Sequence, residues 1–270
     1  MWNFEHEPTR SALAARYVIQ QDTPAECAAR LTSGAADIGL IPIAAHTSSL
    51  AVIPGCAIAS RDHVRSLILV VSNPGGVQAV RRVALDTASR TTAAYTRILF
   101  SRFWRAQPEF FPHPPDLDTM LAQADAALLI GDPALLALED AQNRERRTGQ
   151  RLLYLDLAHE WHTLTGTVWV SAFWSVRPEA LAASGLSAAQ VTEDFQRSRD
   201  QGVAHIDDLA GEWASRLPLP RATIRSYLSE NIWYHLDESC LAGLELFYRY
   251  GVECGALPAV PTIRFLSHNP

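Results

Sequence analysis

The sequence has few cysteines, and their spacing does not suggest a metal or redox centre. Four occur among 270 residues, namely Cys27, Cys56, Cys240 and Cys254, and no two of them form a C-x-x-C pair. Paired or clustered cysteines are what thiolate metal sites and dithiol redox motifs require. Isolated thiols of this kind favour a protein kept reduced in a reducing compartment.

The sequence has no net positive charge, no long apolar run and no recognisable export leader in its first residues. The formal net charge is −6, so the basic face that nucleic-acid binding requires is not indicated. No apolar run reaches the length needed to cross a bilayer. Residues 1–8 contain neither the basic start nor the apolar core of a signal peptide. The sequence as written therefore predicts a cytoplasmic protein without nucleic-acid or membrane partners.

Several catalytic motifs are missing. There is no G-x-G-x-x-G, no Walker loop and no G-x-S-x-G, so nucleotide cofactors and serine-hydrolase chemistry have no support. Residues 156–162 contain metal-ligating residue types, but His159 and His162 lie three apart with no third ligand indicated and no H-E-x-x-H motif. We therefore predict neither a metal nor a cofactor.

What the sequence does contain is an apolar content of 48%, enough to fill the core of one large domain or of two α/β lobes. Thr23, Pro24 and Glu26 form a capping box with proline at the first helical position, and Gly34 ends the predicted helix. An apolar strand follows at residues 37–42. Its near-continuous apolarity predicts burial on both faces, as in a parallel sheet.

The helix–strand pattern returns at residues 116–130, where an Ala-Asp pair again introduces the strand. Two lobes built on one α/β plan would explain the repetition, although a chance likeness of two short units is the alternative. Apolar segments near residues 66–72 and 168–174 are the candidates for crossing strands. We therefore predict a discontinuous lobe 1, comprising residues 1–72 and 171–270 with the C-terminal helices, and an inserted lobe 2 at residues 73–170.

The turn at residues 86–92 is the first candidate site. It joins a strand predicted at residues 82–86 to a helix at residues 92–104 and is rich in hydroxyl groups. Free backbone N–H groups and the positive helix end make such a turn an anion site, to which Arg90 can add a bidentate contact with a carboxylate. The alternative is a simple helix cap by Ser89 or Thr91, with Arg90 in solvent.

Two further loops contribute candidates. At the second strand-to-helix turn, Asp132 is predicted to cap the helix that Pro133 begins, and Gly131 permits close approach of a ligand. A binding role for Asp132 is the alternative to capping. After Pro42, the loop at residues 41–49 is predicted to expose three hydroxyl groups and His46, which is either a base or a solvated histidine.

Several blocks of the sequence resemble the menaquinone-biosynthesis chorismate dehydratases, over about residues 2–266. They are DTPAECA at 22–28, ADIGLIP at 36–42, IPGCAIAS at 53–60, VRS at 64–66, DTASRT at 86–91, GDPA at 131–134, and YL, NI and LDE at 227–228, 231–232 and 236–238. The resemblance implies a two-lobed, type II periplasmic-binding-protein-like fold. It also implies the first step of the futalosine route, in which chorismate loses water to give 3-(1-carboxyvinyloxy)benzoate without cofactor or metal.

The implied chemistry is compatible with the residues. Chorismate carries two carboxylates, and its dehydration forms an aromatic ring, so orientation and desolvation can supply much of the catalysis with modest acid–base help. We expect the substrate to be bound by six residues, and no general base is identified. The six residues are Ser89, Arg90, Thr91, Thr92, Pro42 and Asp132.

The sequence departs from the family at its start, where relatives have a hydrophobic strand and a Ser-Tyr-Leu-Asn segment before the position of Trp2. We expect that about 10–20 residues, one strand and a loop, precede Met1 in the complete protein. Two other functions remain open. One is the sister enzyme, 1,4-dihydroxy-6-naphthoate synthase; the other is a non-enzymatic solute-binding protein for small carboxylates.

Overall fold

The computed structural model describes residues 1–267, whose strands form one three-stranded and one five-stranded sheet. The strands are β1 (Ile38–Pro42), β2 (Ala51–Ser60), β3 (Leu67–Val71), β4 (Arg82–Asp86), β5 (Glu109–His113), β6 (Ala126–Ile130), β7 (Leu153–Asp156) and β8 (Trp169–Val176). Helices cover both sheets. None within residues 1–267 combines the length and apolarity that a bilayer crossing requires.

The helices alternate with the strands in the first two thirds of the chain and dominate the last third. They are α1 (Trp2–Glu5), α2 (Thr9–Ala14), α3 (Pro24–Ser33), α4 (Thr91–Ile98), α5 (Leu117–Leu121), α6 (Gly131–Glu139), α7 (Ala141–Thr148), α8 (Leu157–Thr165), α9 (Pro178–Ser184), α10 (Ala188–Ala204), α11 (Ile206–Ala214), α12 (Arg221–Ser226) and α13 (Glu238–Glu253). The predicted helix at residues 92–104 is α4 followed by a π-helical turn, Leu99–Phe103.

The three-stranded sheet has the order β1-β8-β2, and β8 is antiparallel to both neighbours. The prediction that the first apolar strand belongs to a parallel sheet is therefore wrong. Ile41 of β1 packs with Leu31 of α3 on one face, while Ile38 packs with Phe195 of α10 on the other. The continuous apolar sequence of β1 correctly indicated burial on both faces, but it does not show whether the strand is parallel or antiparallel to its neighbour.

The five-stranded sheet has the order β5-β4-β6-β3-β7. β4 runs parallel to β5 and β6, whereas β3 is antiparallel to β6 and β7. The predicted boundary at residue 72 placed β3 in lobe 1, but Leu67 pairs with Ile130 and the strand belongs to the five-stranded sheet. β3 is apolar and lies where the chain passes from one sheet to the other. Its sequence is therefore compatible with either sheet.

The C-terminal helices are shared between the two sheets. α13 packs on β8 and α4, while Ala210 of α11 and Ile224 of α12 form an apolar cluster with Leu135 of α6. Within residues 171–270, which were predicted to belong to lobe 1, α11 and α12 thus contact a helix that packs on the five-stranded sheet.

Helix starts were predicted with mixed success. The capping box of α3 is confirmed, since Thr23 Oγ1 accepts from the Glu26 N–H and the Glu26 carboxylate accepts from the Thr23 N–H. Asp132 is not a cap, which corrects the prediction. α6 already begins at Gly131, whose positive φ of 61° and N–H bond to the Ser66 carbonyl (2.8 Å) fix the entry into the helix without a side-chain acceptor.

Gly243 sets the distance between α13 and β8. A Cβ atom at this position would overlap with the carbonyl oxygen of Val168, which immediately precedes β8. The obstacle is backbone, so the helix itself must move to make room. We expect Gly243→Ala to lower the free energy of unfolding by about 1–3 kcal/mol, the usual range for overpacking.

Gly202→Ala in α10 is the matched control, because a Cβ there meets nothing nearer than the Cβ of Trp2 at 3.7 Å. This change should be neutral or raise stability by up to about 1 kcal/mol through helix propensity. Urea unfolding of both variants measures the difference. Equal stability of the two variants would show that α13 does not depend on this close approach.

Candidate functional site

Two strand-to-helix turns meet at one edge of the five-stranded sheet. The parallel strands β4 and β6 end there, α4 and α6 begin there, and the antiparallel β3 starts beside them at Ser66. We call this region, comprising Ser66, Asp86, residues 89–92 and residues 131–132, the donor edge. Two helix N-termini at one place concentrate unpaired N–H groups and positive potential.

Asp86 joins the two turns. Its side chain is buried, with 2% of its surface exposed; one carboxylate oxygen accepts from the Ala88 N–H (2.9 Å), and the other from the Ile130 N–H (3.3 Å). Burial raises the pKa of Asp86, and the two N–H donors oppose that effect. Both oxygens are occupied by protein donors, so Asp86 acts as a structural anchor. Sequence reasoning gave it no role beyond ending the strand.

The predicted binding residues Ser89 and Arg90 differ in their surroundings. Ser89 Oγ accepts from the Ala93 N–H (3.1 Å) in the first turn of α4, and the residue at the N-cap position is Arg90. Arg90 precedes α4 and is exposed, and among residues 1–267 its guanidinium has neither an ion pair nor a hydrogen-bond partner. A free guanidinium beside a helix N-terminus is well placed to bind a carboxylate.

Thr91 and Thr92 are both buried at the start of α4. Thr91 Oγ1 accepts from the Ala44 N–H at 3.2 Å, and Ala44 lies in the single 3-10 turn that follows Pro42 at the end of β1. The same turn is held from behind, because the Tyr248 hydroxyl donates to the Ile43 carbonyl at 2.9 Å. The fold thus brings Pro42 and its loop against the donor edge.

Asp132 is exposed at the second position of α6. It lies near Tyr227, whose pKa is raised by burial and by the charge of Asp132. The Tyr227 hydroxyl donates to Ser66 Oγ at 3.1 Å. Tyr227 and Ser66 belong to the sequence blocks that resemble the dehydratases, but nothing in the sequence showed that they contact each other at the donor edge.

The prediction that His46 is exposed on a loop is wrong. Its side chain is 6% exposed, its Nδ1 lies 3.4 Å from Ser175 Oγ, and its ring meets Phe173 edge-on. Burial lowers the pKa of His46 to about 4. A neutral imidazole with so low a pKa is a weak base near neutral pH, which argues against His46 as the general base.

The donor edge offers hydrogen-bond donors and positive potential. Its N–H groups, hydroxyls and the Arg90 guanidinium favour a small anion, while the only deeply buried carboxylate described there, that of Asp86, is already bound to the protein. Such an arrangement can hold and orient a carboxylate substrate.

The raised pKa of Asp86 gives a pH-dependent prediction. As the pH falls, the folded chain binds this proton before the unfolded chain does, so the cost of the buried charge disappears between the folded pKa and the unfolded value of about 3.9. Asp86→Asn lacks this titration and leaves one N–H poorly paired, which should cost about 1–3 kcal/mol. We therefore expect its stability deficit relative to the unmodified protein to grow as the pH falls from 7 to 4.

Urea unfolding at several pH values measures that deficit. Asp208→Asn is the control, because Asp208 is exposed and makes no side-chain hydrogen bond within the described residues. A deficit for Asp86→Asn that stays constant or shrinks with falling pH would contradict the burial of a charged Asp86.

Solved structures share this architecture over most of the chain. Protein AF1704 from Archaeoglobus fulgidus has a TM-score of 0.65 at 17% identity, covering 88% of this chain and 86% of its own. The aliphatic sulphonate binding protein SsuA from Escherichia coli has a TM-score of 0.60 at 14% identity, with 97% and 87% covered. CA3427 from Candida albicans, described as having the generic periplasmic binding protein fold, has a TM-score of 0.57 at 12% identity, with 89% and 80% covered.

These likenesses confirm the two-lobed, periplasmic-binding-protein-like α/β fold, and at such identities they carry no more than the fold. The family is assigned from the sequence. A family model described as menaquinone biosynthesis matches residues 3–253, nearly the whole chain and the whole of the donor edge. The protein therefore belongs to this menaquinone biosynthesis family.

Proposed function

We propose that the protein is a chorismate dehydratase, a lyase that converts chorismate to 3-(1-carboxyvinyloxy)benzoate in the futalosine route to menaquinone. The observation that carries the proposal is the donor edge, with its unpartnered Arg90, in a chain of the menaquinone biosynthesis family. The four cysteines are all free thiols, which fits the reducing cytoplasm as the place of this reaction.

The chemistry of chorismate matches the donors. One of its two carboxylates fits the Arg90 guanidinium together with the free N–H groups at the start of α4. Pro42 faces the carboxylate site from the end of β1, since the 3-10 turn that follows it donates the Ala44 N–H to Thr91. Asp132 cannot attract a carboxylate, but its oxygens are suited to accept a hydrogen bond from the ring hydroxyl of the substrate.

The reaction requires little from the protein beyond orientation. The C4 hydroxyl and the C3 proton leave together as water, and the electron pair of the C3–H bond completes an aromatic ring. Because aromatisation drives the step forward, fixing the two carboxylates and excluding solvent accounts for much of the rate enhancement. Such a reaction is compatible with the donor edge, which is rich in hydrogen-bond donors and whose one buried carboxylate, Asp86, is already hydrogen-bonded.

Access to the site involves the contact between Thr91 and Ala44. This hydrogen bond connects the start of α4 to the turn after β1, so it joins a helix of the five-stranded sheet to a loop of the three-stranded sheet. A neutral hydrogen bond contributes about 0.5–1.5 kcal/mol, which a bound dianion can readily replace. We infer that the two sheets separate at this point when substrate enters.

The reaction itself is the primary test. Purified protein is incubated with chorismate, ultraviolet absorbance is followed, and the product is analysed by mass spectrometry for the loss of one water. Appearance of 3-(1-carboxyvinyloxy)benzoate supports the proposal. Calorimetric binding of chorismate with an unchanged spectrum would instead favour a small-carboxylate binding protein. Absence of both binding and turnover, with activity on the precursor of 1,4-dihydroxy-6-naphthoate, would favour the sister enzyme.

The role of Arg90 gives a second prediction. Arg90→Ala removes a charge-assisted hydrogen bond to the substrate, so chorismate binding should weaken by about 1.5–3 kcal/mol, roughly 10- to 150-fold, while stability stays unchanged. Arg151→Ala is the matched control, because Arg151 is also exposed and without a side-chain partner in the described chain. Calorimetry measures binding, and urea unfolding measures stability.

Ser89→Ala distinguishes capping from binding. Loss of the Ser89 cap alone should lower stability by about 1 kcal/mol and leave affinity unchanged, whereas a substrate contact should weaken binding as well. If neither Arg90→Ala nor Ser89→Ala alters affinity, the turn at residues 86–92 is a helix start and not the carboxylate site.

A further inference from the structure

A second group of chemistry-bearing side chains lies where the chain crosses between the two sheets. Asp62 and His63 are in the segment between β2 and β3, and His159 is in the first turn of α8. Asp62 contacts both histidines: one carboxylate oxygen is 3.0 Å from His63 Nδ1 and the other is 2.6 Å from His159 Nδ1. One ligand atom from each of the three residues lies within 4.8 Å of the others.

The backbone under this cluster is tightly fixed. The half-buried Asp156 carboxylate caps α8 by accepting from the His159 N–H (3.3 Å) and, on its other oxygen, accepts from the N–H groups of Val64 (2.9 Å) and Arg65 (2.6 Å). Arg65 adopts a φ of 63°, which is unusual for a residue with a side chain. One carboxylate thus ties the crossing segment to the start of α8.

The crossing segment is also held from its own side. Ser60 Oγ contacts the carbonyl oxygens of Asp62 (3.1 Å) and His63 (3.0 Å), and the Asn231 side-chain amide donates to the His63 carbonyl (3.1 Å). The three candidate ligands therefore project from a preorganised backbone, which is what a binding site requires of its supporting residues.

The two imidazole rings stack with centroids 3.9 Å apart and planes 20° apart. Both rings turn Nδ1 towards the Asp62 carboxylate, and a metal ion binds imidazole through such a ring nitrogen. Two imidazole nitrogens and one carboxylate oxygen form a donor set typical of zinc and related divalent transition metals.

The separations also suit such an ion. With metal–ligand bonds of about 2.0–2.2 Å, tetrahedral ligand atoms lie about 3.3 Å apart. His63 Nδ1 lies 3.0 Å from one oxygen of Asp62 and His159 Nδ1 lies 2.6 Å from the other, so side-chain rotations must bring one Asp62 oxygen and both nitrogens around the ion. The three side chains are each about half exposed, which leaves the ion a direct path from solvent.

An adjoining cavity of about 590 Å³ includes His63 and His159 in its lining, together with Tyr154 and Glu160. Zinc sites with three protein ligands keep their fourth position for water or another small ligand, and this cavity provides the space for one. None of the six predicted substrate-binding residues lines this cavity.

We propose that Asp62, His63 and His159 form a site for one divalent transition-metal ion, best suited to Zn²⁺, with its remaining coordination position open to this cavity. The ion links the β2–β3 crossing to α8 and so strengthens one of the two connections between the sheets. The sequence around His159 does not indicate this site, because His162 is its nearest histidine and does not belong to the cluster. The other two ligands come from residues that are distant in sequence.

Zinc binding to protein pretreated with a chelator tests the proposal, by competition with a chromophoric indicator. We expect one ion per chain, and an affinity that falls at least tenfold in each of His63→Ala, His159→Ala and Asp62→Asn. His162→Ala is the matched control, because His162 belongs to the same helix and contacts the Thr167 carbonyl instead. Its affinity should equal that of the unmodified protein.

A second readout guards against variants that misfold. Zinc should raise the melting temperature of the unmodified protein and of His162→Ala but not that of His159→Ala, with circular dichroism confirming that each variant is folded. Absence of stoichiometric binding to the unmodified protein would overturn the proposal. Equal affinity in His63→Ala, His159→Ala and the unmodified protein would also overturn it, because the ion would then bind elsewhere. Neither result bears on chorismate dehydration, which is assayed separately.

Discussion

The buried carboxylate of Asp86 is the constraint on which the candidate site depends. A carboxylate with 2% exposure is tolerated only if its oxygens are hydrogen-bonded, and its two acceptors take N–H groups from different strand-to-helix turns. Movement of either turn would leave a buried charge unpaired. The starts of α4 and α6 are therefore fixed relative to each other. Because Asp86 makes this connection, Arg90 is not needed for it and has no side-chain partner in the described chain.

The helix that begins at this site also connects the two sheets. One turn beyond Thr91, the Tyr95 ring stacks on Trp169 of β8 at 3.6 Å, and its hydroxyl both donates to the Val170 carbonyl and accepts from the Val170 N–H. This buried contact is much stronger than the single hydrogen bond between Thr91 and Ala44. Separation of the sheets for ligand entry is thus expected to start at Thr91 and to leave the Tyr95 contact intact.

The features that sequence predicted well are local. The bounds of β4 and the capping box of Thr23 depend on residues within a few positions of each other, and both agree with the structure. The direction of β1, the sheet to which β3 belongs and the burial of His46 depend on partners far along the chain, and there the predictions failed. Within the site, sequence indicated the hydroxyl-rich turn but gave no sign that Asp86 joins it to Ile130.

An acidic protein that binds a dianion requires a local explanation. The net charge of −6 opposes a dicarboxylate at long range, but charges further than the Debye length of about 8 Å are largely screened at physiological ionic strength. Inside that distance the N–H groups of two helix starts and the Arg90 guanidinium favour an anion, Asp86 is already paired with two donors, and the exposed Asp132 opposes a carboxylate. The affinity of the donor edge for a carboxylate therefore depends on these few groups, and the net charge of the whole protein has little influence on it.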